Sequence, residues 1–127
     1  MAEAGKEPPT STPSSPHQSP PISLEEFQKV ALRVGVVVSA QDHPNADRLL
    51  VLSVDLGEGT LRQLVAGIKG PYQASDLVGK RVVVVANLKP AVIRGVESQG
   101  MLLASHDGSQ LAILTPDRSV QAGSPVK

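Results

Sequence analysis

Between two apolar runs, the stretch Asn87 to Ala104, NLKPAVIRGVESQGMLLA, crowds polar groups together. Asn87, Lys89, Arg94, Ser98 and Gln99 supply amides, a hydroxyl and two cations, which is the chemistry of hydrogen bonding and anion binding. Val82 to Val85 before it read as a buried strand and Met101 to Ala104 after it as another, with turns expected at Pro90 and Gly95. Binding groups are commonly carried on loops of a rigid β scaffold, so this crossing is the candidate site. The same pattern also fits a plain solvated hairpin connection.

Covalent chemistry is harder to place. None of His17, His43 and His106 has a metal-ligand spacing, and with no cysteine to join them no metal site is expected. His43, beside Asp42, reads as turn chemistry. Ser98 lacks the glycine-flanked elbow of a nucleophile, the carboxylates are scattered singly, and Gly57-Glu58-Gly59 reads as a hairpin because no helix follows it. The expectation is a non-catalytic chain that needs no cofactor.

Length and charge narrow the options further. At 127 residues the chain is one domain by size, with 12 basic and 12 acidic side chains. Residues 1–21 hold six of the 11 prolines and no aromatic or β-branched apolar residue, so they read as an extended Pro/Ser-rich linker without a core. The folded domain is then residues 22–127, with 11 basic and 10 acidic side chains, and any nucleic-acid binding must rely on local placement of charge. No apolar run is long enough to cross a bilayer, and the N-terminus lacks the apolar centre of a signal peptide. A soluble, cytoplasmic protein with no membrane partner is the expectation.

The elements that must position the crossing are mostly strands. Ser23 before Leu24, Glu25 and Glu26 looks like the cap of a short helix that sets Phe27 against a barrel mouth. Strands are expected at Val30 to Ala40, Arg48 to Leu56, Leu61 to Ile68, Arg81 to Leu88, Gly100 to Ser105 and Gln110 to Leu114. Gly35 suggests a bend or bulge in the first, and Pro71 to Val78 fits a short helix closed by Gly79. Three strands, a short helix and two more strands is the order of an all-β, five-stranded oligonucleotide/oligosaccharide-binding (OB) barrel.

On such a barrel, single-strand binders stack bases on aromatic rings, yet only Phe27 and Tyr72 are present. Recognition of a folded RNA through phosphates and 2′-hydroxyls needs only cations and amides on a rigid rim. Lys89, Arg94, Arg48 and Arg33 could supply charge, Asn87, Ser98 and Gln99 hydrogen bonds, and Met101 an apolar face for one base.

Five stretches then carry a resemblance: LRVGVVVSA at 32–40, HPNADRLLVLSVDLG at 43–57, QLVAGI at 63–68, VGKRVVVVANLKP at 78–90 and IRGVESQGMLLAS at 93–105. Together they resemble the tRNA-binding domain found at the C-terminus of bacterial methionyl-tRNA synthetases and in free-standing tRNA-binding proteins. The resemblance implies an OB-fold that binds tRNA by shape, with little regard to which tRNA, in cis to a synthetase catalytic body when appended to one. It also implies homodimerisation, and places RNA contacts on Asn87, Lys89, Arg94, Ser98 and Met101, with Arg33 and Arg48 in support. The alternative is a homodimerisation module of a synthetase with weak or no RNA binding, which near-zero charge and the alanines at 66 and 91 permit.

Overall fold

The computed structural model describes residues 19–127, so all but the last three residues of the expected 1–21 linker lie outside it. The short helix α1 (Leu24–Phe27) starts where the sequence places it, because Ser23 Oγ accepts the Glu26 N–H while the Glu26 carboxylate accepts the Ser23 N–H. No residue of α1 is buried.

The strands that follow are β1 (Leu32–Asp42), β2 (Leu50–Asp55), β3 (Leu61–Ala66) and, after α2 (Ala74–Leu77), β4 (Arg81–Val85). Then come β5 (Ala91–Ile93), β6 (Val96–Ser98), β7 (Met101–Leu102), β8 (Ala104–His106), β9 (Leu111–Ile113) and β10 (Pro125–Val126). The main sheet runs β3-β2-β1-β4-β7, all antiparallel, with β10 added beside the start of β1. Alternation decides its faces. Leu50, Leu52, Val54, Leu64, Val82, Val84 and Leu102 point into one core, and Leu77 of α2 is fully buried against it.

β1 serves two sides of the barrel, pairing β4 through Leu32 to Val36 and β2 through Val36 to Asp42. The irregularity expected at Gly35 lies three residues later, where the register jumps between Val37 and Ser39 and Val38 bulges out. Gly35 stays in the ladder opposite Val82, and a side chain there would collide with Val54 and Leu56.

The remaining seam, between β3 and the chain entering β7, is closed mainly by side chains. Gln99 N–H donates to the Gln63 carbonyl (2.7 Å), and Gln99 Oε1 accepts the Gln63 N–H (2.9 Å). Ser98 Oγ accepts the Val65 N–H (3.0 Å) and donates to the Gly100 carbonyl (2.9 Å). Gly100 lies so close to β4 that an added Cβ would be 3.0 Å from the Val85 carbonyl oxygen. The result is an all-β, nearly closed five-stranded OB barrel with a short helix between β3 and β4.

Candidate nucleic-acid interface

The crossing between β4 and β7 contains a hairpin of its own. β5 and β6 pair through Ala91 with Ser98 and Ile93 with Val96, leaving Arg94 and Gly95 as a two-residue turn. Both turn residues have positive φ, 53° and 89°, the geometry of a type I′ hairpin. For arginine that conformation is uphill by roughly 1–2 kcal/mol, so something must hold it.

The holder is the loop between β1 and β2. His43 is buried, its Nδ1 accepts the Asn45 N–H (2.9 Å), and its Nε2 lies 3.0 Å from the Ile93 carbonyl oxygen. Since Nδ1 accepts, the proton belongs on Nε2, which donates to Ile93. Asn45 Nδ2 donates to the Arg94 carbonyl (3.1 Å), and Arg94 Nη2 donates to the Asn45 carbonyl (3.3 Å). His43 is therefore turn chemistry, as its sequence context suggests, but the turn it fixes is 50 residues away.

This latch builds a groove of about 460 Å³ lined by Asn45, Ala46, Asp47, Arg48, Leu49 and Arg94. A second groove shares its Asp47 and Arg48 wall and continues to Lys69, Gly70, Pro71 and Gln73. Lys69 is ion-paired with Asp42 at 2.9 Å. The β1–β2 loop and the connection from β4 to the closing strand form one rim of the barrel, and Arg48 and Arg94 line the same groove on it.

The other expected site residues are placed differently. Lys89 is exposed at the base of the β5–β6 hairpin, at the other end from Arg94. Asn87 is exposed, but its amide is engaged at both ends: Nδ2 donates to the Lys29 carbonyl and Oδ1 accepts the Ala31 N–H, tying the segment after α1 to the end of β4. Ser98 is the clearest departure from the rim expected for it. It is 4% exposed, and its hydroxyl closes the seam. Met101 is about half exposed and borders an apolar groove with Val65, Leu103 and Leu111. Arg33 is exposed on β1 beside β10, where its Nη1 makes a long 3.5 Å contact with the Gly123 carbonyl, and it lines neither rim groove.

Two contributors were not legible as site residues. Asn45 carries the latch, and its only signal is its place two residues after His43 in a turn. Arg62 binds both ends of the crossing: Nη1 donates to the Ala86 carbonyl (2.6 Å) and to the Gln99 carbonyl (2.9 Å), while Nε and Nη2 engage the Glu58 carboxylate. The signal for it is the Glu58-to-Arg62 spacing across a tight hairpin, which pairs the two charges without revealing the carbonyls.

A family model described as "Putative tRNA binding domain" matches residues 32–125. The chain belongs to this tRNA-binding domain family. Over 106 residues it is 55% identical to methionine–tRNA ligase of Pyrococcus furiosus, covering 84% of this chain and 14% of that enzyme. The chain thus spans about a seventh of the length of such relatives. The fold also superposes on a MetRS related protein from Pyrococcus horikoshii, with TM-score 0.79 and 32% identity over 86% of this chain and 100% of that one. The chaperone CsaA of Bacillus anthracis follows, with TM-score 0.77 and 27% identity over 85% of this chain and 100% of that one.

Proposed function

We propose that this chain binds tRNA by shape, with little dependence on which tRNA, and serves as an appended arm that raises the local tRNA concentration for a synthetase catalytic body. The observation that carries the reading is the latched rim, where His43 and Asn45 hold the Arg94 turn beside Arg48. A rim that is already rigid meets phosphates without a further ordering cost, which is how a nearly neutral domain can bind a polyanion. The contacts proposed are Arg94, Arg48 and Lys89, with Met101 against an exposed base and Arg33 peripheral. Asn87 and Ser98 contribute through the shape of the crossing.

The test is a set of tRNA titrations across salt. Lys89→Ala and Arg94→Ala are each expected to weaken binding about equally for unrelated tRNAs and to flatten the salt dependence by about one unit of slope. Unchanged affinity and slope in both variants would remove the site.

A second reading, a homodimerisation module with weak or no RNA binding, is favoured by one feature. Ile22 just before α1 and Leu24 at its start are 64% and 70% exposed, with Phe27 and Val30 also partly open. Sedimentation combined with a tRNA gel shift separates the readings, since a dimer that does not retard tRNA supports the second.

A further inference from the structure

Arg62 does more than tie the crossing down. Four of its five N–H groups are engaged, two with Glu58 and one each with the Ala86 and Gln99 carbonyls. Guanidinium hydrogen bonds lie in the plane of the group, so its edges are largely taken and its flat face is what an incoming molecule can meet. Arg62 also lines a cleft of about 340 Å³ with Thr60, Leu61, Ala86, Leu88, Pro90 and Gln99. Leu61 and Leu88 are about half exposed and line the same cleft as the Arg62 guanidinium, giving it apolar walls beside a fixed cation.

We propose that this cleft is a stacking shelf for one unpaired nucleobase of tRNA, the base lying on the Arg62 face between Leu61, Leu88 and Pro90. A flat, weakly hydrated cation beside apolar walls matches a flat, polarisable ring, and a guanidinium plane can stack a splayed base as an aromatic ring does. The cleft is at the lower end of small-ligand pocket size, which suits one base rather than a dinucleotide. Lys89, between Leu88 and Pro90 in the chain, is exposed at the margin, where the phosphate of that nucleotide would run. The Glu58 carboxylate pairs with the Arg62 charge, so the shelf selects for a ring and not for an anion. Stacking is thereby supplied in a chain with a single phenylalanine and a single tyrosine, the latter engaged through its hydroxyl with the Ile113 N–H.

The inference rests on the tRNA reading, and one experiment distinguishes the failure of each. Wild-type protein, Leu88→Ser, Leu61→Ser and Arg62→Lys are titrated with bulk tRNA across salt. The leucine methyls and Arg62 Nε–H are followed by NMR with tRNA and with a blunt, fully paired RNA duplex. Leu88→Ser and Leu61→Ser change half-exposed side chains outside the core and are expected to keep the fold. Each is expected to weaken tRNA binding roughly 5- to 10-fold, the lower part of what one stacked base contributes, with an unchanged salt slope because no phosphate contact is lost. Arg62→Lys keeps the charge, removes the plane, and is expected to weaken binding at least as much. Ring-current shifts at Leu61 and Leu88 are expected with tRNA and not with the duplex. Wild-type binding to tRNA without those shifts, and with both serine variants at full affinity, would overturn the shelf alone. Absence of wild-type binding to tRNA would overturn the shelf together with the tRNA reading.

Discussion

A residue's type and its place in the fold can assign it different work, and three polar side chains of the crossing illustrate this. Ser98 is small, polar and next to a turn, which in sequence is indistinguishable from a rim contact. The barrel places it under the seam, where the Val65 N–H would otherwise lack a partner. Asn87 is similarly drawn into holding the backbone at Lys29 and Ala31. Arg94 stays at the surface, and His43 and Asn45 hold its turn through the Ile93 and Arg94 carbonyls. Replacing His43 with alanine removes two hydrogen bonds and leaves a buried gap, so it is expected to destabilise the domain by about 1–3 kcal/mol. Calorimetry or urea unfolding checks that value. In tRNA titrations the same variant is expected to lose affinity while keeping the wild-type salt slope, because the cations remain and only their placement relaxes. A variant of wild-type stability would show that the latch contributes nothing.

Elements are legible in the sequence in proportion to their length. β1 to β4 each carry enough alternation or β-branched content to be located within a few residues, and Ser23 and Gly79 mark the helix ends by cap chemistry. The β5–β6 hairpin is legible only through its turn at Gly95 and as one of two readings of the crossing, with neither strand marked. Its strands are three residues each, too short for a period, and its turn begins with arginine where glycine, asparagine or aspartate would signal a type I′ geometry. The pairing of β10 with β1 leaves no local signature because it joins the two ends of the domain.

The β8–β9 hairpin carries a further prediction at this scale. Asp107 accepts hydrogen bonds from the Gln110 and Ser109 N–H groups and the Ser109 hydroxyl, which hold its carboxyl below the usual carboxylate value. A lowered value means the turn's contribution is complete above the ordinary carboxylate range and is lost as pH falls through the depressed one. The movement of the Ser109 and Gln110 amide shifts that follows Asp107 protonation is therefore expected to be centred below about pH 4. Movement centred at or above that pH would contradict the hydrogen-bonded turn.

For the whole molecule, the sequence made the barrel legible because core alternation and element order agree, while charge gave no hint of a polyanion partner. At one rim of the barrel a loop and a hairpin far apart in sequence interlock, and Arg48 and Arg94 line one groove there. The exposed apolar residues around α1 bear on assembly at the same scale. If they pair two copies, Leu24→Glu is expected to shift sedimentation from dimer to monomer, and a wild-type chain already monomeric at high concentration would exclude that role.

Titration of the wild-type chain with bulk tRNA at about 50 and 200 mM salt tests the central claim most directly, that a stiff, locally charged rim grips folded RNA. With Arg48, Arg94 and Lys89 each meeting a phosphate, affinity is expected to fall roughly 40-fold between the two conditions, at about 0.9 units of slope per contact. No retardation of tRNA at the lower salt, or binding indifferent to salt, would contradict it.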